Sequence, residues 1–362
     1  MTIEIKHTTD EDASLWDEYV LNHPQSNVYQ LFRWRRIIGK TYGHNSYYLM
    51  ASEGKTVKGV LPLIHLKHFL FANAFISIPF FDMGGILSDN EDVQNKLFIE
   101  AVKMGKYTGV SDIEIRHLSP VLSDTVNLLN NRKETPFKIH CTLLTYKTRM
   151  IMSLPESPDA LMESFKSKLR SQIKKPMKEG LTSKIGGKEL LDAFYSVFSV
   201  NMKDLGSPIH SRKLMGNVLN EFNDQAKIVC IYKENIPIAA SIVISYKDTL
   251  ENPWASSLRE YSRYSPNMLL YWKMMEYACK QGLKYFDFGR STPDEGTYKF
   301  KVQWGAEPEQ LYWYYFSEKP IQVDNEVSPI SAKRAMAENI WKKLPLKVTT
   351  TIGPMIRGYI GL

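Results

Sequence analysis

In this 362-residue chain the residue types best suited to chemistry gather in the run Tyr285–Gly305, YFDFGRSTPDEGTYKFKVQWG. Tyr285 to Phe288 alternate as a short buried strand, and Gly289 directly after them has the backbone freedom for an abrupt turn. Such a turn would display Arg290, Ser291 and Thr292, followed by a Pro293–Gly296 turn region and by Thr297 as the cap of a short helix ending near Gly305. On that helix Phe300 and Trp304 share an apolar stripe. Lys301 lies off the stripe, one turn beyond Tyr298, so that a phenol and an ammonium face one cleft. A surface turn with incidental charges fits the same spacing.

The remainder of the chain narrows the chemistry. His65 and His68 lie three apart in a strand-and-turn segment, do not share a face and have no carboxylate partner, so no metal set is expected. There is no G-x-S-x-G elbow, Walker loop or G-x-G-x-x-G fingerprint, which removes a covalent acyl-enzyme, nucleotide hydrolysis and dinucleotide redox chemistry as leading readings. What remains is direct transfer between two bound substrates. An amine attacking an activated carbonyl needs alignment, an outlet for its proton and positive charge near the developing oxyanion. Lys301 and Arg290 supply charge, Tyr298 positions a carbonyl or relays a proton, and Asp287 is either a cleft carboxylate or a buried partner of Arg290.

Two domains are expected from the length, and 43% hydrophobic residues with 12% aromatics give ample material for cores. Three scattered cysteines and an N-terminus without a secretory layout point to a reducing cytoplasm. A formal charge of +7 permits polyanionic partners such as RNA, a diphosphate-linked lipid or a coenzyme. From Tyr47 the chain reads strand Tyr47–Ser52, strand Val57–Leu66, strand Ala74–Pro79, helix Glu91–Tyr107, Gly109 and strand Asp112–Arg116. The second half repeats this order: strands Lys227–Tyr232, Ile236–Tyr246 and Leu250–Ser257, helix Pro266–Lys280, Gly282, then Lys284–Phe288. We read a structural duplication: two mixed sheets flanked by helices, an α/β (α+β) fold, with the boundary in Thr135–Leu154. The expected division is 1–145, 146–318 and a linker with a C-terminal helical tail at 319–362.

Secondary candidates lie elsewhere. Asn27–Ile38 mixes Trp34 with Arg36 and other cations. It is either a groove-lining helix or one packed by its aromatics with solvated arginines opposite. A helix Ser164–Lys178 places Phe165, Leu169, Ile173 and Met177 inward and carries Arg170, Lys174 and Lys175 for phosphate contact or as a solvated face, with a break required by Pro176. In the tail, Trp341, Lys342, Lys343, Met355, Ile356 and Arg357 suit a membrane surface, and packing back onto the body is the stronger expectation.

The run FDFGRSTPDEGTYKFKVQWGAEPEQLYWYYF, with KLRSQIKKPMKEG and NMKDLGSPIHSRKL upstream, resembles the FemAB-like branch of the GNAT superfamily, in particular its members associated with exopolysaccharide and PEP-CTERM sorting loci. The resemblance spans approximately Thr8–Phe316. It implies two tandem GNAT-like domains, with the second catalytic, and transfer of an acyl or aminoacyl group to an amine of a cell-envelope or polysaccharide precursor. Phe300 and Lys301 match the family's Phe-Lys pair at the reaction centre. The resemblance also implies a co-substrate, aminoacyl-tRNA or acyl-CoA, instead of a permanently bound cofactor, and a small-molecule or lipid-linked acceptor. No stretch is long enough for a tRNA-binding helical-hairpin arm, and the family's first-domain lysine position falls on Ile38, near Arg36 and Lys40. The segment Leu258–Pro266, where an acyl-CoA enzyme carries a glycine-rich pyrophosphate loop, has no glycine.

Overall fold

The computed structural model describes residues 2–68, 72–110, 112–120, 139–318 and 332–361. The chain divides into two compact units. One comprises Met1–Lys147, Gln310–Ser328 and Gly358–Leu362; the other comprises Thr148–Glu309 and Pro329–Arg357.

The first unit contains β1 (Ile3–His7), α1 (Ala13–Asn22), α2 (Arg33–Tyr42), β2 (Asn45–Ser46), β3 (Leu49–Glu53), β4 (Thr56–Leu61), β5 (Ile64–His68), β6 (Ala72–Ile76), β7 (Leu87–Ser88), α3 (Glu91–Thr108), β8 (Asp112–His117) and β9 (His140–Leu144). Its strands form one sheet in the order β1-β3-β4-β7 and another that runs β2-β5-β6-β8, then the segment Tyr312–Ser317, then β9. The single strand expected over Val57–Leu66 is cut at Pro62, which has no N–H to give to a ladder, so β4 and β5 belong to different sheets. Asn90 caps α3 by accepting from the Val93 N–H, and Gly109 ends it in the left-handed conformation at φ 72°. The buried face of α3, with Leu97, Phe98 and Ala101, packs with Leu49, Ile115 and Phe316 in one core. On α1, Trp16 and Val20 are buried, whereas Leu15 is exposed.

The second unit runs through β10 (Thr148–Ser153), α4 (Pro158–Ser164), α5 (Ser167–Lys178), β11 (Leu181–Gly186), α6 (Leu191–Leu205), α7 (Arg212–Phe222), β12 (Ala226–Lys233), β13 (Ile236–Tyr246), β14 (Thr249–Ser257), α8 (Pro266–Lys280), β15 (Tyr285–Ser291), α9 (Gly296–Val302) and β16 (Glu307–Gln310). One sheet orders these strands β11-β12-β13-β14-β15-β10-β16. The antiparallel run β12–β14, the crossover α8 and the parallel return β15 repeat the path β5, β6, α3, β8 of the first unit, in which β6 and β8 are also parallel. The fold is the expected α/β arrangement of mixed sheets flanked by helices.

Several elements differ from the sequence reading. The strand expected over Thr142–Ile151 is two strands, β9 and β10, one in each unit. The strand β17 (Tyr312–Ser317), inside the range 146–318 expected for the second domain, lies between β8 and β9 of the first unit, with Trp313 opposite Arg116 and Leu144. Its alternation fixes which side chains are buried but not which sheet receives them. The helix expected over Ser164–Lys178 is broken at Phe165–Lys166, and Pro176 takes the inward place expected for Met177, which is exposed. The tail forms α10 (Ala332–Lys343) and α11 (Leu346–Arg357), which pack on α6. The backbones come close there: a Cβ on Gly206 would stand 2.9 Å from the Glu338 carbonyl oxygen, and one on Gly353 would stand 3.0 Å from an Ile209 methyl. The expected linker, beyond Glu318, lies outside the described residues.

Candidate active site

The parallel strands β14 and β15 pair only at Thr249↔Tyr285, Leu250↔Phe286 and Glu251↔Asp287. Beyond this point β14 continues on β13 as far as Ser257, and β15 continues on β10 as far as Ser291. The two neighbours therefore fork, and their inner backbone groups turn toward the gap instead of toward each other. At the base of the fork the carbonyl oxygen of Asn252 would lie 3.6 Å from a Cβ on Gly289.

Gly289 is where β15 bends. Asp287 pairs with Ile151 and Arg290 with Arg149, so β15 contains one residue more than β10 across this stretch. Gly289 has a φ of 72°, so the extra residue forms a bulge with glycine in the left-handed region. The strand thus continues past the glycine to Ser291, and the abrupt turn expected there is a bulge. A carboxylate holds it in place: Asp287 Oδ1 accepts from the Gly289 N–H at 2.6 Å.

Asp287 is buried, and its cationic partner is Arg149, not Arg290. Arg149 Nε donates to Asp287 Oδ2 at 2.5 Å, its Nη1 donates to Glu309 Oε2 at 3.1 Å, and its Nη2 lies 3.5 Å from Glu251 Oε1. Burial pushes the Asp287 carboxyl up. The Arg149 guanidinium, the neighbouring Glu251 side chain and the Gly289 N–H outweigh this and hold it below the usual carboxylate range. Burial pulls Arg149 down, but Asp287 and then Glu251 and Glu309 raise it further, so it remains a cation.

The bulge directs two carbonyls at one ammonium. Lys301 Nζ donates to the Gly289 oxygen at 3.0 Å and to the Arg290 oxygen at 2.7 Å, with the residue only 7% exposed. The chain reaches this position through a turn, Thr292 to Glu295, closed by the Glu295 N–H on the Thr292 carbonyl, with Pro293 second and Asp294 third at φ 66°. Helix α9 then starts at Gly296 with Glu295 as its N-cap, so Thr297, expected as the cap, lies in the first turn. The result is a fixed cation on the bulge at the fork, the arrangement that stabilises charge developing on a carbonyl oxygen. Beside it, Ser291 is buried and its Oγ has no hydrogen-bond partner in this structure.

The other sequence candidates are dispersed. Arg290 and Tyr298 are half-buried, and Phe300 packs edge-on to Tyr271 at 5.0 Å. Trp304, expected to contact substrate, is a core residue, with its ring 5.5 Å from Phe165. Trp34 is likewise in the core of the first unit, where its Nε1 donates to the Val28 carbonyl and its ring lies 4.5 Å from Phe81. Arg36 is half-buried on α2. Lys174 and Lys175 are on the exposed side of α5, and Arg170 donates a long hydrogen bond to the Glu163 carbonyl. His65 pairs with Asn73 Oδ1 at 2.9 Å. Sequence reasoning missed Arg149 and Glu251; the available signal was a charged residue set within each of two otherwise buried strands, KTRMIMS and TLENPWASS.

Residues 164–302 match the family model of the acetyltransferase (GNAT) domain, a span that contains the fork and Lys301. Over 386 aligned residues, covering 84% of this chain and 89% of the relative, the chain is 21% identical to a lipid II:glycine glycyltransferase of Staphylococcus saprophyticus. Among solved structures it is similar to that of FemX, with a TM-score of 0.64 and 18% identity over 86% of this chain and 96% of the other. It also resembles a tandem GNAT protein from the clavulanic acid biosynthesis pathway, with a TM-score of 0.55 and 10% identity over 89% of this chain and 100% of the other. The chain carries a GNAT acetyltransferase domain, which marks it as an acyl- or aminoacyltransferase, and along most of its length it is similar to proteins of the FemAB-like branch of that superfamily.

Proposed function

We propose that the protein transfers an activated acyl or aminoacyl group directly to an amine of a cell-envelope or polysaccharide precursor, in the cytoplasm. The observation that carries this reading is the Lys301 ammonium held by the Gly289 and Arg290 carbonyls at the open side of the β14–β15 fork, inside the span matched to the acetyltransferase domain. The amine nitrogen attacks the acyl carbon and a C–N bond forms. Negative charge builds on the acyl oxygen, within the field of Lys301, and the bond to the departing ester oxygen or thioester sulfur breaks. The leaving atom takes up a proton as the amine loses one. Asp287 sets the bulge through Gly289 and is thereby a positioning residue.

The relative is named for adding glycine to lipid II, which favours an aminoacyl-tRNA donor and a lipid-linked acceptor here, including acceptors of exopolysaccharide assembly. Acyl-CoA is the alternative donor. The 3₁₀ turn Arg259–Tyr264 ahead of α8, without a glycine, supports it less well than a glycine-rich loop would. Incubating the full chain with charged tRNA or acyl-CoA and lipid-linked or sugar-nucleotide acceptors, with products read by mass spectrometry, tests the reading. An N-acylated acceptor formed from either donor is the expected result. Binding of a precursor with no product from any donor overturns it in favour of a non-catalytic binding module.

A further inference from the structure

Among the described residues, the C-terminal helices leave several apolar side chains exposed. On α10, Met336 and Ile340 lie one turn apart and are 65% and 52% exposed. On α11, Val348, Ile352 and Met355 follow at helical spacing and are also exposed, while Thr349 and Gly353 form the side that is buried in the unit. Burying such side chains favours whatever covers them, at about 25 cal/mol per Å² of apolar area.

The charges around these residues select the partner. Lys342, Lys343 and Lys347 are exposed and lie in the sequence between Ile340 and Val348, and Arg357 ends α11. Across 332–357 the sequence contains Lys333, Arg334, Lys342, Lys343, Lys347 and Arg357 against Glu338 alone. Apolar side chains bordered by cations match an acidic bilayer surface, where the side chains enter the headgroup boundary and the cations meet lipid phosphates. The break at Leu344–Pro345 separates the two helices, and among the described residues no helix is long and apolar enough to cross a membrane. Contact of this kind is peripheral.

We propose that α10 and α11 form a docking surface for anionic phospholipid, seating the second unit on the bilayer. The inference gains purpose from the lipid-linked acceptor proposed above, and its test does not depend on that reading. Full-length protein is sedimented with vesicles of phosphatidylcholine alone or of equal parts phosphatidylcholine and phosphatidylglycerol. The wild type should partition at least tenfold more strongly onto the acidic vesicles, and added salt should weaken it. Each of Lys342→Ala, Lys343→Ala and Lys347→Ala should lower partition roughly fivefold. The combination Ile340→Glu with Ile352→Glu alters exposed positions only and should abolish partition without moving the melting temperature. Equal binding to both vesicle types, or full binding by the Ile340→Glu, Ile352→Glu protein, overturns the proposal. So does a wild-type dimer that this variant converts to monomer, because the face then belongs to a second copy. Vesicle binding without transfer activity leaves this inference standing and counts against the proposed function, and transfer without vesicle binding does the opposite.

Discussion

The two units contain the same parallel strand pair and finish it in opposite ways. In the first unit β8 does not part from its surroundings beyond Glu114: the Arg116 N–H donates to Ser77 Oγ, the Arg116 carbonyl accepts from the Gly85 N–H at 2.8 Å, and the Arg116 guanidinium is held by Glu114 and by the Phe81 carbonyl. The chain's last residues add to this closure, with the Phe80 N–H donating to the Gly361 carbonyl. In the second unit the equivalent edge of β15 forks from β14, its arginine comes from β10, and a bulge glycine directs two carbonyls at a lysine. One pair is sealed by its own loop and stabilises the fold. The other holds the Lys301 ammonium on two bulge carbonyls where, among the described residues, β14 and β15 no longer pair beyond Asp287.

This contrast yields tests in order of size. Arg149→Met removes the cation from a buried carboxylate pair and should destabilise the second unit by about 3–5 kcal/mol, read from chemical denaturation. A variant as stable as the wild type would show that Asp287 and Glu251 do not depend on that charge. Alanine at two glycines separates sealing from shaping. At Gly85 the new Cβ would lie 2.7 Å from the Arg116 carbonyl and from the His117 ring, so overpacking should cost about 1–3 kcal/mol and leave the rate per folded molecule unchanged. At Gly289 there is space, but the φ of 72° penalises a side chain by about 1–2 kcal/mol, and the displaced carbonyls should lower the transfer rate as well. If Gly85→Ala impaired the rate and Gly289→Ala did not, the roles of the two strand ends would be reversed.

A further effect concerns pH. Burial pushes His117 at the end of β8 down to about 3 from its ordinary 6.5. A histidine with a depressed folded pKa gives stability that is present above its unfolded pKa and is lost as pH falls from about 6.5 toward 3, because the unfolded chain binds the proton first. The slope from one such group is about 1.4 kcal/mol per pH unit. His210 in the second unit is shifted in the same direction. His117→Gln should therefore reduce the acid dependence of stability without removing it, as measured by urea unfolding between pH 4 and 7, roughly the titration range of a histidine. An unchanged slope would mean that His117 takes up a proton in the folded chain.

The sequence placed most of the fold where local punctuation is strong. The ranges Ile236–Tyr246 and Pro266–Lys280 coincide with β13 and α8, the first bounded by the Glu234-Asn235 turn and the second by a proline at its first position and Gly282 after its end. Lys301 was found because glycine, turn and helix follow one another within a few residues. Arg149 was not, because its partner Asp287 is 138 positions away and no local pattern links them. The same limit hid the destination of β17. Residue type makes Trp34 and Trp304 candidates for a groove, but a large aromatic placed among apolar neighbours is first of all core material, and both are buried.

The central claim is that the second-unit fork carries the reaction through Lys301. It is tested most directly by single-turnover transfer with Lys301→Ala at matched folded concentration. The account predicts a rate lower by about 10²–10³-fold, the loss expected for one fixed donor to an oxyanion, with the folding transition retained. A Lys301→Ala protein that transfers at the wild-type rate would contradict it.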